Sequence, residues 1–538
     1  MRSSPVPRSL AVSRVRRLGL TGAAALLLLA LAACGGGGGG GGGSDPAPPG
    51  TGTPPSTVID ATPYSTAVDA SLAGATESKA ITQHRLVLGS TAIDYSATAG
   101  HLIANDVASG APQATFFYVA YTATAGVGTA AATRPVTFFF NGGPGSASLW
   151  LHMGSYGPKR LVTNMPSNQI VSSFALVDNA ESLLDVSDLV FVDAVGTGQS
   201  QAIAPNTNRT FWGVDADARV FRDFIARYMV VNGRTASPRV VFGESYGTLR
   251  SALLAEELEA AGVGVDGVVL LSSVMDYNSN CGVVGDPKVV CGGYLPSYAA
   301  TGVYHGRVQP PPADVDAFVL QTIGFADERY GPAVSAYLLG TALPTPQLIG
   351  DIAALTGTPT SLWQGNLLNL QPDLFRTSLL PGQLLGRYDA RIAGASNGPL
   401  AVDGDPSLTV IEAPYLAATR SYLQDDLAYR SQASYSSFSN AIEFWRWTHD
   451  GKSLPDAVPD LAAALTLNPR LRVLSLNGHH DLATPFHQTQ LDLRRLGMQP
   501  RITLQHVAGG HMTYLDNSAR RQQRAALGDF YRSLRTTP

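Results

Sequence analysis

Arg239-Val240-Val241-Phe242-Gly243-Glu244-Ser245-Tyr246-Gly247-Thr248 is the stretch that decides how this chain folds. Val240, Val241 and Phe242 form a short apolar run suited to a buried strand. Gly243 to Gly247 follows at once with the pattern Gly-x-Ser-x-Gly, the nucleophile elbow. Leu249 to Leu258 then reads as a helix, so strand, sharp turn and helix come in the order the motif needs. The two glycines have a physical job, because the turn brings backbone against backbone where a Cβ would obstruct it. The pattern predicts a serine hydroxyl held clear of a sheet, above a helix N-terminus whose dipole favours developing negative charge. A chance match is the competing reading in a chain with 56 glycines, and the flanking strand and helix count against it.

Outward from the elbow, strands and helices alternate. Upstream, Pro135–Phe140 predicts a strand running into Asn141-Gly142-Gly143-Pro144-Gly145-Ser146, a loop with little side-chain bulk whose N–H groups are free to face a ligand. Asp188–Asp193 predicts another buried strand, followed by the Gly-rich turn Ala194–Ser200. That turn lacks the Gly-Lys-[Ser/Thr] ending and the dinucleotide spacing, so it is not read as a phosphate loop. Val220, Phe221, Phe224, Ile225 and Tyr228 recur at helical spacing within Asp217–Met229. Ala80–Val87 and Thr115–Tyr121 read as early strands, antiparallel to each other.

Downstream, Val265–Leu271, Arg472–Leu476 and Ile502–Val507 predict strands, and Ser518–Arg532 a closing amphipathic helix. Between them, about 290–445 mixes short helical periods with turns and aromatics, and is expected to form a helical cap over the site. The fold class is therefore α/β: a central, mostly parallel, twisted sheet flanked by helices, with a cap insertion.

The N-terminus reads as an export segment. Arg2, Arg8, Arg14, Arg16 and Arg17 precede the apolar stretch Leu18–Ala33, which is shorter than a comfortable membrane span. Leu31-Ala32-Ala33-Cys34 resembles the lipobox of bacterial lipoproteins. That resemblance implies a signal peptide over 1–33, cleavage before Cys34, lipidation of Cys34 and tethering in the cell envelope. Nine glycines (Gly35–Gly43) and a Pro/Gly/Thr-rich run follow, so 34–75 is taken as a linker and 76–538 as the folded domain.

Composition narrows the function. With 45% apolar residues and a net charge of −4 over 538 residues, the chain supports a large core and carries no basic patch for nucleic acid. Of its three cysteines, Cys281 and Cys291 are left if Cys34 is lipidated. An exported compartment permits a small bridge between these two. They have no Cys-x-x-Cys or neighbouring histidine pair, so neither a metal nor a cofactor is expected.

A serine nucleophile needs a base, and the base needs a carboxylate to fix its tautomer. Asn477-Gly478-His479-His480-Asp481 and Ala508-Gly509-Gly510-His511-Met512 each end a predicted strand. Ser245, Asp481 and His511 thus fall in the order Ser, Asp, His, with Asp481 and His511 on loops at the carboxyl edge of the sheet. His479, His480 and His487 lie too near Asp481 in sequence to be its partner on a separate loop, and His506 falls inside a strand. Gly143 and Tyr246 N–H are the candidate oxyanion donors.

Taken together these motifs resemble the serine carboxypeptidase family of α/β-hydrolases. The residues that carry the resemblance are Asn141–Gly145, Phe191-Val192-Asp193 with Gly196-Thr197-Gly198 and Ser200, Gly243–Gly247, Gly478 with Asp481, and Gly510-His511-Met512 with Asp516. The resemblance implies an α/β-hydrolase fold and release of a C-terminal amino acid from a peptide through an acyl-enzyme on Ser245. It also implies that Asn141 and Glu244 grip the substrate's terminal carboxylate, with Gly142 and Met512 beside them. A carboxyl group binds a carboxylate only by sharing a proton, which favours acidic conditions.

The chain departs from the family at several points. A second glutamate is expected fourteen positions after Asn141, where Ser155 stands. Ser146 replaces a cysteine, Phe139 a tryptophan, and Gly247-Thr248 an Ala-Gly. An esterase or acyltransferase on the same scaffold, and a non-catalytic surface-binding protein, are the alternatives.

Overall fold

The computed structural model describes residues 56–128, 131–497 and 499–535. The export segment, Cys34 and the first part of the linker lie outside the described residues. Among the described residues no helix is long and apolar enough to cross a membrane.

The central sheet contains nine strands in one path: β1 (Lys79–Leu88), β2 (Thr91–Asn105), β3 (Pro112–Ala125), β4 (Val136–Phe140), β5 (Asp188–Val192), β6 (Arg239–Glu244), β7 (Gly267–Leu271), β8 (Arg472–Gly478) and β9 (Ile502–Val507). Their order is β9-β8-β7-β6-β4-β5-β3-β2-β1, and the short strand Gln201–Ala202 pairs with β3. The run from β9 to β5 is parallel throughout, while β3, β2 and β1 form an antiparallel meander on its edge.

The inner parallel strands β4, β5 and β7 read as nearly unbroken apolar runs because both of their faces are covered, whereas the edge strand β9 is largely half-exposed. Val241, Phe138, Val190 and Val268 point to one core, under the helices Val214–Val231, Tyr246–Ala260 and Val458–Leu467. Val240, Phe242, Phe139, Phe191 and Val269 point to the other, under Leu149–Gly154 and Asn517–Arg535. Phe139 stacks between Phe191 and Phe242, with ring centroids 4.6 and 4.7 Å away, so phenylalanine fills the site where the resemblance expects tryptophan.

Three expectations need correction. First, the strands near 80–87 and 115–121 are not paired. β2 lies between them, antiparallel to each, so they run in the same direction. Its buried residues include Ala97 and Ala99, whose small side chains give little hydrophobic signal. Second, the linker ends well before 75. Val58–Asp60 forms a parallel pair with Tyr429–Ser431, Tyr64 stacks on His101 at 4.5 Å, and Asp60 accepts a hydrogen bond from Tyr429 at 2.8 Å.

Third, the insertion at about 290–445 is not one cap. Its first part, with Cys281 just before it and Leu482 from the loop after β8, forms a separate core that runs from Cys291 through Tyr298, Trp363 and Phe375 to Ala393. Cys281 and Cys291 are joined by a disulfide within it. Its second part packs on the main cores instead, through Val410, Ile411, Tyr415 and Tyr422 on one face and Ala441 and Trp445 on the other.

Candidate active site

The elbow is strained as its sequence requires. Ser245 has φ 61° and ψ −128°, a conformation unusual for a residue with a side chain. It is held there from both sides: its N–H donates to Leu271 O at 3.0 Å, and its carbonyl accepts from Thr248 N at 2.8 Å and Thr248 Oγ1 at 2.7 Å. An ideal Cβ on Gly243 would lie 2.0 Å from Gly247 O, and one on Gly247 would lie 2.8 Å from Phe140 O.

The neighbouring Gly-rich loop is fastened to this turn. A Cβ on Gly142 would lie 2.5 Å from Tyr246 N, so the loop backbone rests directly on the helix start. Gly143 has φ +104°. Among the described residues neither Gly143 N–H nor Tyr246 N–H donates to another group. Arg250 binds loop to helix: its Nε donates to Asp217 at 2.6 Å and its Nη1 to Asn141 O at 2.9 Å. The guanidinium is also packed against the rings of Phe221, Phe140 and Tyr246.

Asp481 and His511 follow β8 and β9, and the structure brings them together. His511 Nδ1 lies 2.7 Å from Asp481 Oδ2, with both side chains buried. Asp481 is held by Ala483 N at 2.8 Å, Thr484 N at 3.0 Å and Thr484 Oγ1 at 2.7 Å. Gly478 and Gly510 allow the two loops to touch, since a Cβ on Gly478 would lie 2.1 Å from Gly510 O. Arg391, from the insertion, braces the His511 loop by pairing with Asp389 and Asp516. Ser272 Oγ donates to His511 O at 2.5 Å. Ser272 follows Leu271, the residue that accepts from Ser245 N, so one short segment ties the serine turn to the histidine loop. The Ser245 hydroxyl makes no hydrogen bond among the described residues; such bonds commonly tighten only around substrate.

Burial favours a neutral His511 imidazole, but the charge of Asp481, its hydrogen bond and the charge of Glu244 outweigh burial and raise the pKa. Three of the four rival histidines are engaged elsewhere. His479 Nε2 is 2.7 Å from His506 Nδ1, and His487 Nε2 is 3.0 Å from Asp327.

Ser245 opens onto a cleft of about 260 Å³ that is also lined by Gly143, Tyr388, Arg387, Asp405, Phe438 and Thr484. The insertion supplies Arg387, Tyr388, Asp405 and Phe438, which carry no motif that the sequence could announce. Tyr388 packs on His511, with ring centroids 4.9 Å apart.

Asn141, Gly142 and Glu244 are buried and do not line the cleft, while Met512 faces a small cavity beside Met165 and Ile392. Burial lifts the Glu244 carboxyl to a pKa of about 7. His511 and hydrogen bonds from Tyr514 and Asn141 pull against that rise, and Asp481 adds to it. Tyr514 donates to Glu244 Oε2 at 2.9 Å.

Six parallel strands, a strained serine turn and an Asp–His pair on two successive strand-end loops define an α/β-hydrolase. Within that class, residues 90–268 match the model of the serine carboxypeptidase family, so the resemblance carried by the motifs holds over that stretch. Among solved structures, the chain is similar to KEX1(DELTA)P, a prohormone-processing carboxypeptidase from Saccharomyces cerevisiae. The identity is 15% and the TM-score 0.51, over 81% of this chain and 91% of that one, a likeness of fold. A proline iminopeptidase from Mycobacterium smegmatis matches at 14% identity and TM-score 0.31, over 84% of this chain and 98% of that one. A juvenile hormone epoxide hydrolase from Bombyx mori matches at 13% and 0.35, over 82% and 80%. A search of curated proteins gives no match.

Proposed function

We propose that this chain is a serine carboxypeptidase that releases C-terminal amino acids through an acyl-enzyme on Ser245. The observation that carries the reading is the buried His511–Asp481 pair on a loop tied to the Ser245 turn. Asp481 occupies Nδ1, which leaves Nε2 to take the serine proton. Ser245 Oγ then attacks the scissile carbonyl, and the new oxyanion is met by Gly143 N–H and Tyr246 N–H. The imidazolium returns the proton to the leaving amine. Water, activated by the same imidazole, hydrolyses the acyl-enzyme and frees the serine.

A second reading, esterase or acyltransferase, is favoured by one observation. Asn141 and Glu244 are buried and do not line the cleft, and Ser155 gives no second carboxyl. A blocked dipeptide, its C-terminal amide and the matching ester separate the two. Preference for the free acid, lost in Ser245→Ala, is expected; equal or faster turnover of the amide and ester would reject the exopeptidase.

The pH profile adds a second criterion. His511 must be neutral to act as base, so kcat/KM rises with pH through its raised pKa. Glu244 must be protonated to meet a carboxylate, so its grip is present at lower pH and lost as pH rises through about 7. The free acid is therefore expected to give a bell whose falling limb lies at about 7, its limbs belonging to the coupled pair, and the ester a rising curve with a plateau. A free-acid optimum confined to low pH would contradict this.

We further propose export and anchoring through Cys34, which rest on the leader sequence alone. Fatty-acid labelling of the wild type, absent in Cys34→Ala, is the expected result; equal labelling would refute it.

A further inference from the structure

The resemblance calls for a second carboxyl at position 155, and the structure has filled that space differently. Ser155 Oγ donates to Leu151 O at 2.5 Å, which turns the side chain back onto its own helix. The space beside 154–155 is taken by two phenols. An ideal Cβ on Gly154 would lie 2.7 Å from Tyr514 Cε2 and 2.6 Å from the Tyr415 hydroxyl. Tyr514 OH reaches Glu244 Oε2 at 2.9 Å, while the Tyr415 hydroxyl is buried with no hydrogen-bond partner.

We infer that Tyr514 does the work of the missing glutamate, by donating to one oxygen of Glu244 so that the other carries the proton toward a substrate's terminal carboxylate. The inference rests on the exopeptidase reading. It makes Tyr514 a positioning residue, acting through Glu244. Two glutamates must share one proton, so such a grip fails once that proton leaves. A phenol donates whether or not its partner is ionised, and burial pushes the Tyr514 hydroxyl well above its ordinary pKa. Only the Glu244 proton then limits the grip. The titratable groups around Glu244 are His511, Asp481, Tyr514, Tyr415 and Tyr388.

The test measures kcat and KM for a blocked dipeptide and its ester between pH 5 and 9. In Tyr514→Phe the free-acid-to-ester ratio of kcat/KM is expected to fall about tenfold, through KM for the acid. The alkaline limb for the acid is expected to move upward, since the lost hydrogen bond had lowered the Glu244 pKa. An unchanged ratio, or an equal fall on acid and ester, overturns the inference. If Tyr514→Phe does not fold, Glu244→Gln serves. Its amide accepts from Tyr514 and donates to the carboxylate at any pH, so the alkaline limb should vanish, and a limb that persists overturns the inference. A wild type with no free-acid preference sinks the exopeptidase reading itself, which is a different result from a wild-type preference that Tyr514→Phe leaves intact.

Discussion

Ser245→Ala is expected to lower kcat by about ten-thousand-fold or more, with KM and thermal stability close to wild type. The asymmetry follows from what the hydroxyl does. It makes no hydrogen bond among the described residues, so its loss leaves no buried partner stranded. Alanine can occupy the same backbone, which Leu271 O and Thr248 hold in place. The acyl-enzyme route through Ser245 is lost entirely, because alanine carries no hydroxyl to attack with. His511→Ala should cost about as much, and the double variant no more than either alone, since nucleophile and base act as one unit. Steady-state kinetics on the ester, with circular dichroism as a folding control, reads all three. A double variant much slower than the single ones would show that the two residues act independently.

Gly243→Ala should have the largest effect on the fold. Its Cβ would stand 2.0 Å from Gly247 O and 2.5 Å from Ser251 Oγ, contacts that no rotamer relieves because the first is backbone. Relief requires the strand end to part from the helix start, and with them the packing of β6 between β4 and β7. A loss of more than about 4 kcal/mol, or no soluble protein, is expected. Gly350→Ala is the control. It sits in the helix Pro346–Thr356 with nothing within 4 Å of a new Cβ, and should be neutral or stabilise by up to about 1 kcal/mol. Thermal melts of the two variants side by side check this, and a Gly243→Ala melting within a few degrees of wild type would mean that the elbow is looser than its contacts imply.

What could be read from the sequence follows from how each element is stabilised. β4 to β9 include strands covered on both faces, so runs such as Val136–Phe140 and Gly267–Leu271 announced themselves. The serine turn is legible because its geometry leaves no room for a Cβ at Gly243, which would stand 2.0 Å from Gly247 O. The closeness of Asp481 and His511 is legible because strand-end loops at one sheet edge converge. β2 gives little sequence signal because alternating small residues bury well but score weakly as hydrophobic. The end of the linker leaves no local signal because Val58–Asp60 is ordered by Tyr429–Ser431, a partner hundreds of residues away. The divided packing of the insertion was hidden for the same reason. Tyr388, Arg387 and Tyr514 carry no local pattern, and only three-dimensional proximity gives them a place beside His511 or Glu244.

The measurement that bears most directly on the central claim is trapping of the acyl-enzyme position. A fluorophosphonate should add to the protein once, and peptide mass spectrometry should locate the adduct on Ser245 in wild type and find none in His511→Ala. No adduct on the folded wild type, an adduct on another residue, or equal labelling without His511 would contradict a serine activated by that imidazole.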